Sequence, residues 1–540
     1  MFRRVPGLIV PQGMMIARQK SAEGVVVRST RHIAGGRLPC VVNPRGRADE
    51  GPNGLSEAGK PVLLASSQRW TMNNKRQNPQ PEQRSIFDPQ LRLAFAPIIK
   101  GEAQEESDGR VELFVSPRGN QSPTIPLTVM QEVLQPENLK AALAKVQANK
   151  GAPGIDGMTV KQLPDYLQTH WPRINQQLLE GTYKPLPVKR VEIPKPDGGM
   201  RKLGIPTVLD RFIQQAVQQV LTRRWDDTFS QNSFGFRPGK SAHQAVEAAQ
   251  RFIAEGCAWV VDIDLEKFFD RVNHDRLMAR IMQRENDKTL IKLIRSILTS
   301  GVMENGLVSP TDEGTPQGGP LSPLLSNLVL DELDKELEKR GHKFVRYADD
   351  CNIYVQSERA GQRVMEGISQ FITGKLKLKV NESKSAVAKP KDRKFLSFSF
   401  TGGKKARRRI APKAIQRFKA RVRELTNRHK GRSLRQVIEP LGDYLRGWRG
   451  YFGFCQTPSV LADLDSWIRR RLRMVVLNHW PRGRRRFVEL TNRGVSEQLA
   501  AQTAASCHGP WRLSRSPALS FALPNHVLDR LGVERLLLKK

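Results

Sequence analysis

Apolar positions recur along this chain in two periods, one helical and one alternating, and the places where each begins divide it. From residue 1 to about 125 neither period holds: Gly, Pro, Ser and charge are mixed. Residues 73–84 (NNKRQNPQPEQR) have nothing to bury and read as linker. Patterned sequence starts near Leu127. Val133, Leu139, Leu143 and Val146 predict a helix with its lead-in, closed by Gly151. Two short strands follow, Lys189 to Ile193 and Arg201 to Ile205, around a Pro- and Gly-rich turn at 194–199. Pro206-Thr207 then opens an amphipathic helix. Val208, Phe212, Ala216, Val217, Val220 and Leu221 share one face of it, and Trp225 ends it. A later helix starts at Ser322-Pro323 and turns Leu325, Leu328, Leu333 and Leu337 to the core.

Two strand-like stretches are broken by acid. Phe344–Val355 (FVRYADDCNIYV) reads as a hairpin with Asp349 and Asp350 at its tip. Taken alone, Ala-Asp-Asp is ordinary turn chemistry. Upstream, Trp259-Val260-Val261 and Ile263 want a strand, and alternation places Asp262 and Asp264 on one face. Carboxylates in so apolar a strand are costly unless paired or metal-bound. One of them beside the Asp349-Asp350 tip makes a three-carboxylate cluster, the donor set taken by a pair of hard divalent cations. The alternative is that these acids are N-terminal charges of a helix beginning around Glu266 to Arg271.

Charge sharpens this picture. The 540 residues carry 89 Lys+Arg against 53 Asp+Glu, a net charge of +36 that favours a polyanionic partner, nucleic acid before an acidic membrane. No apolar run reaches the roughly 18–20 residues that span a bilayer. The five cysteines are scattered without a Cys-x-x-Cys pair, which argues against a disulfide framework or a zinc ribbon and fits a reducing compartment. Residues 403–486 hold 24 Lys+Arg and 5 Asp+Glu, with Tyr444, Trp448, Tyr451, Phe452, Phe454, Trp467 and Trp480 interleaved. That density points to nucleic-acid contact rather than to a merely solvated helical face. The first 39 residues are Arg-rich and acid-poor; they read as an unstructured basic leader or translation from an upstream start, with an organellar transit peptide as the minority reading.

Two glycine-rich turns complete the set. Gly151–Thr159 (GAPGIDGMT) lacks the order of a nucleotide-binding P-loop. In Glu313–Pro323 (EGTPQGGPLSP) the glycines allow close backbone approach to a ligand.

Taken in order, these blocks resemble the group II intron-encoded reverse transcriptase/maturase family over roughly residues 127–480. Gly-x-Asp-Gly-x-Thr at 154–159 is similar to the family's fingers extension. Residues 194–206 resemble the fingers hairpin, and 232–238 (NSFGFRP) the insertion after it. DIDLEKFFDRVNH at 262–274, PQGG at 316–319 and YADD at 347–350 resemble the palm motifs. NESKS at 381–385 and FLSF at 395–398 follow, and GDYLRGWRGYFGF at 442–454 resembles the maturase, or X, domain.

The resemblance implies an α+β right-hand polymerase of fingers, palm and thumb, with an antiparallel palm sheet and a basic α-helical thumb/X domain behind it. Its expected segments are an irregular basic extension at 1–125, fingers and palm at 126–401, thumb/X at 402–490, and a C-terminal tail at 491–540. It implies Asp264, Asp349 and Asp350 as catalytic residues holding two Mg²⁺ ions. Lys195, Arg201 and Lys384 would attend the triphosphate, Gln317 would line the nucleotide pocket, and Phe269 would crowd a ribose 2′-hydroxyl. Phe395 and Leu396 would contact primer and template; Arg446, Trp448, Arg449 and Tyr451 would contact RNA. Implied partners are group II intron RNA, an RNA template, a DNA primer or target, and deoxynucleoside triphosphates, with no membrane; a homodimer is left open. The implied compartment is the bacterial cytoplasm, with the mitochondrion as alternative.

Two departures stand out: Ser397 replaces the usual glycine of the primer-contacting block, and the Cys and His ligands of the family's optional endonuclease are missing from the 540 residues. The rival reading is an RNA-binding splicing factor with a vestigial polymerase. Retron-type or diversity-generating reverse transcriptases and a viral RNA polymerase rank below it.

Overall fold

The strand readings are met by a hairpin and a sheet. In the computed structural model, residues 127–538 are described, except 195–198, 305, 311, 312, 316, 317, 404 and 428–430. The expected basic extension, Lys195 and Gln317 therefore lie outside the described residues. All described residues belong to one compact unit, Leu91–Lys540.

Helix α1 (Val129–Val133) opens on a capping box formed by Thr128 and Gln131. Helix α2 (Pro136–Asn149) ends one residue before the expected Gly151, because Lys150 itself takes the left-handed cap at φ 46°. Helix α3 (Leu163–Glu180) leads to β1 (Val188–Pro194) and β2 (Met200–Ile205), an antiparallel pair in the register Pro194↔Met200 to Lys189↔Ile205. Helix α4 (Val208–Trp225) is capped by the Thr207 side chain and is buried on nearly every side.

Beyond α5 (Ala242–Ala254) comes β3 (Trp259–Ile263), then α6 (His274–Met282) and α7 (Lys288–Leu298). Strands β4 (Val302–Glu304) and β5 (Leu307–Ser309) join the first hairpin in a sheet of order β2-β1-β4-β5, with β1 and β4 parallel. Helix α8 (Ser322–Lys339), β6 (Lys343–Tyr347), β7 (Asp350–Val355), α9 (Glu358–Phe371) and β8 (Ala386–Ala388) complete the second sheet, of order β6-β7-β3-β8. Every pairing in it is antiparallel, as expected of a palm.

Short strands β9 (Phe398–Phe400) and β10 (Arg408–Ile410) hand the chain to helices α10 (Pro412–Leu425), α11 (Leu434–Phe452) and α12 (Pro458–Asn478). These three enclose a second core of Phe418, Val422, Leu441, Leu445, Leu464, Ile468 and Leu472. Helix α5 ties the two regions together. His243 stacks on Phe454 at 4.3 Å and meets the Tyr451 carbonyl at 2.8 Å.

The C-terminal tail is corrected by the structure. Helices α13 (Gly483–Thr491), α14 (Glu497–Ala504), α15 (Pro510–Leu513), α16 (Pro517–Ala522) and α17 (Asn525–Arg530) pack together. Val476, Trp480, Leu490, Val495, Ala500, Leu513, Leu519 and Leu523 form their core. The helices run only 4 to 9 residues, too short for a sustained helical period to stand out in sequence, so only the assembled cluster reveals them. The last turn goes further: Leu528, Val533 and Leu536 enter the α10–α12 core, and the Leu536 N–H donates to Asp465 at 2.9 Å.

Leu528, wholly buried, gives the test. Leu528→Ala should cost about 3 kcal/mol through the cavity it leaves, read as a lowered urea midpoint of the full chain. A free appendage would show no shift.

Candidate active site

Two residues, Ala348 and Asp349, close the β6–β7 hairpin, since Tyr347 still pairs with Asp350. Ala348 lies at φ 58°, a conformation that costs a residue with a Cβ roughly 1–2 kcal/mol. Arg346, two residues earlier and wholly buried, holds it there. Its guanidinium donates to the Ala348 carbonyl at 2.9 Å, to Asn327 Oδ1 at 3.0 Å and to Ser233 Oγ at 2.7 Å. It also donates to both carboxylate oxygens of Asp334, at 2.7 and 2.5 Å. The five N–H groups thus meet five acceptors, which is what makes a fully buried charge tolerable.

The 232–238 loop braces the same turn from outside. Phe234 N–H donates to the Arg346 carbonyl and Arg346 N–H to the Asn232 carbonyl, both at 2.9 Å. Gly235 packs so close that a Cβ on it would lie 2.2 Å from the Ala348 nitrogen. Arg237, also buried, pins the loop to Asp226 and to the Ser230 and Ser233 carbonyls.

Asp264 stands one residue beyond β3. Its backbone N–H donates to Ser385 Oγ at 3.0 Å, and its carbonyl accepts from Asn381 N–H at 2.8 Å. The carboxylate is left over: Oδ2 is buried and accepts no hydrogen bond, although the Lys384 ammonium stands 3.4 Å away. Asp262 contrasts with it, accepting from Arg393 Nε at 2.9 Å and from its terminal nitrogen at 2.6 Å. Its place is structural, tying β3 to the chain after β8.

The acids feel one another. Burial, then the Asp264 charge, raises the Asp349 carboxyl above the ordinary carboxylate range, opposed by Arg201 on β2. Asp350 opens to solvent at its rim, yet the protein around it, followed by Asp349, Asp262 and Asp264, pushes it up to about 7. Among the described residues, no three His, Cys, Asp or Glu side chains are grouped at ligand distance. The donor set nevertheless fits a hard divalent cation. Mutually repelling oxygen ligands with one buried oxygen unpaired are a set that such a cation would satisfy.

Around the acids, Phe269 sits half-buried in a tight turn opened by Lys267 at φ 49°, edge-on to Phe268 at 5.2 Å. Its carbonyl accepts from Thr315 N–H at 2.7 Å. The glycines after Gln317 carry a correction. Gly318, at φ 142°, approaches protein rather than an open ligand space: a Cβ there would lie 2.5 Å from the Gly204 carbonyl of β2. Gly318 thereby seats this loop on β2.

The primer-contacting block is a tight turn. Phe395 and Phe398 exchange backbone hydrogen bonds at 2.8 and 2.9 Å, while Leu396 and Ser397 both take positive φ, 49° and 67°. Such paired left-handed residues mark the hairpin turn where glycine is favoured. Tyr451 holds it by donating its hydroxyl to the Leu396 carbonyl at 2.8 Å.

In the X domain the four expected residues all have partners within the protein. Trp448 is buried against Phe418 at 4.3 Å and Phe452 at 4.6 Å, so its ring presents no face to a base. Arg446 pairs with Asp443 and with Glu534 at 3.3 Å; Arg449 pairs with Glu534 at 3.1 Å and the Arg535 carbonyl at 3.0 Å. Tyr451 is spent on the turn just described. Sequence reasoning also missed Arg346, Asp334, Ser233 and Asn327, although one signal was present. Arg346 interrupts an apolar strand just as Asp262 does, and the same demand for a partner applied to it.

The palm sheet, its acidic tip and the hairpin facing it define a right-hand polymerase fold. Residues 193–400 match the family model described as reverse transcriptase (RNA-dependent DNA polymerase), and 415–493 that of the group II intron, maturase-specific domain. The chain is 31% identical to the protein YkfC of Escherichia coli (strain K12), over 52% of this chain and 83% of that one. It is 30% identical to the group II intron-encoded protein LtrA of Lactococcus lactis subsp. cremoris, over 47% of this chain and 53% of LtrA. Among solved structures, a chain of a partial Cas6-RT-Cas1–Cas2 complex aligns over 50% of this chain and 46% of its own, with TM-score 0.31 and 28% identity. This chain belongs to the group II intron-encoded reverse transcriptase/maturase family. It spans about half the length of LtrA.

Two substitutions test the supports. Asp334→Asn leaves a buried guanidinium without its counter-charge and should cost about 3–5 kcal/mol. Arg346→Met added to it should recover part of that loss in the same denaturant titration. Ser397→Gly relieves a left-handed serine and should raise stability by about 1 kcal/mol, seen as a higher melting temperature.

Proposed function

We propose that this protein is an RNA-directed DNA polymerase which also binds its group II intron RNA to assist splicing and mobility. The observation that supports the polymerase most directly is the strand register, Ile263 against Cys351, which sets Asp264 beside the Asp349-Asp350 tip with its Oδ2 buried and accepting no hydrogen bond. Family membership supports the splicing role.

In this reading Asp264 and Asp349 hold the metal ions, and Asp350 adjoins them. Two bound Mg²⁺ ions would acidify the primer 3′-hydroxyl and neutralise the triphosphate and departing pyrophosphate. The chain's own part is positioning, the larger share of phosphoryl-transfer catalysis. Arg201, with Lys195, binds the phosphates of the incoming nucleotide. Lys384 rests on Asp264 until a phosphate offers it another anion, and from there its ammonium can give a proton to pyrophosphate. Phe269, fixed by Phe268 and Thr315, crowds the 2′ position so that deoxynucleotides are preferred, and Gln317 lines the pocket. The Phe395–Phe398 turn seats the primer end. The relatives come from bacteria and from mitochondria, which fits either the bacterial cytoplasm or the mitochondrion as the compartment.

Purified protein with Mg²⁺ should extend a DNA primer on an RNA template with deoxynucleotides. Asp349→Ala should lower the rate at least a thousandfold, on the order of the electrostatic stabilisation lost, while RNA affinity stays near that of the wild type. A wild type that binds intron RNA but extends no primer would favour the splicing-only alternative. Phe269→Ala should admit ribonucleotides; unchanged sugar discrimination would remove that residue from its role.

A further inference from the structure

Asp262 lies two residues before Asp264 and is held at both of its oxygens. Arg393 Nε and one terminal nitrogen converge on Oδ2 at 2.9 and 2.6 Å. The Asn352 amide, oriented by its hydrogen-bond network, donates to Oδ1 at 3.0 Å. A carboxylate so occupied is a poor metal ligand, so its use lies in what Arg393 does next. The terminal nitrogen that reaches Asp262 also donates to the Lys384 carbonyl.

Lys384 sits where the sheet does not hold it. The β3–β8 ladder ends at Asp262↔Ala386, and Lys384 lies two residues outside it, in a turn. The ends of that turn, Asn381 and Ser385, are hydrogen-bonded to the Asp264 backbone at 2.8 and 3.0 Å. Between them Lys384 N–H donates to the Asn381 carbonyl at 3.2 Å, and Arg393 takes the Lys384 carbonyl. The backbone of Lys384 is thus fixed on both sides. Its side chain is exposed, with the ammonium 3.4 Å from Asp264 Oδ2. On a flexible four-carbon stem, the region that the ammonium can cover is set by where the backbone stands. Asp262 and Arg393 are largely shielded from solvent, and a pair of that kind serves one conformation more than it serves net stability.

We infer that Asp262 and Arg393 are a positioning pair for Lys384, fixing the 381–385 turn so that its ammonium stands between Asp264 and the phosphates of the incoming nucleotide. Neither residue touches substrate in this role. The inference rests on the polymerase function proposed above and on the part given there to Lys384. Arg393 also stands two residues before Phe395, where the same pair could brace the primer turn. Its hydrogen bond goes to Lys384, which favours the lysine.

The test uses the full chain with Mg²⁺, an RNA template annealed to a DNA primer, and rapid-quench addition of one deoxynucleotide. Burst amplitude counts the competent protein, so a loss of folded enzyme is not read as a loss of rate. Asp262→Asn and Arg393→Gln should each lower the maximal rate about tenfold, with primer–template affinity unchanged. Lys384→Ala should lower it about a hundredfold, the size of a lost general acid. Added to Lys384→Ala, Arg393→Gln should cost about twofold or less, because the group through which it acts is gone. Asp262→Asn, nearly isosteric, runs the same cycle if Arg393→Gln yields no competent protein. A full tenfold loss on the Lys384→Ala background overturns the inference, as does a wild-type rate in both single variants. So does a fall in primer–template affinity that accounts for the slower extension, which would assign the pair to the primer turn. Each of these results leaves the polymerase reading standing. A wild type that extends no primer would instead sink the reading on which the inference depends.

Discussion

A single guanidinium, Arg346, sets the geometry on which the candidate catalytic centre depends. The hairpin tip needs Ala348 in a left-handed conformation so that Asp349 closes one sharp reversal and Asp350 opens the returning strand. Nothing local to Tyr-Ala-Asp-Asp supplies that. Arg346 does so by reaching back to the Ala348 carbonyl while Asp334, Asn327 and Ser233 hold its remaining donors. The arrangement spends a buried ion pair, which contributes little net stability, on specifying one conformation. Helix α8 and the 232–238 loop, far apart in sequence, are both required to complete it.

The same principle of anchored turns recurs. The Phe395–Phe398 turn carries two left-handed residues and is held from the helical region by Tyr451. Gly318 bears on Gly204, so the loop between the acidic strands rests on the strand that carries Arg201. Strain is thus stored around the site and balanced by contacts between distant elements, as is common where side chains must be aimed rather than merely packed. His243, stacked on Phe454 and bonded to the Tyr451 carbonyl, makes α5 the joint through which palm and helical region share these supports.

Charge follows a different logic on the two sides of that joint. At the palm, burial first and the neighbouring carboxylates second raise Asp350 until it holds its proton up to about 7. In the helical region, cations are in excess, and the protein sorts them. Those facing the C-terminal turn are paired off with Glu534 and Asp529, and those beside Trp467 are not. Lysine and arginine counts alone cannot separate these populations, since each arginine looks alike until its partner is in view.

Much of the framework was legible in the residues themselves. Period-two apolar runs marked β1–β3, β6 and β7, and helical spacing marked α4 and α8, because long or strongly alternating segments carry their own signal. The acidic strand and acidic tip announced themselves through the cost of burying unpaired carboxylates. The short helices beyond residue 490 were hidden, having too few turns each for a sustained period to stand out. Sequence could name Asp262 and Asp264 as neighbours, but only the fold gave Arg393 to the first and left an oxygen of the second unpaired. Likewise it could count the aromatics and cations of residues 403–486, yet Trp448 went to the core and Trp467 to a ring of cations. What the chain determined by itself is which groups demand partners. Which partners they receive was decided in three dimensions, because pairing depends on elements brought together from more than a hundred residues away, as Ser233 is to Arg346.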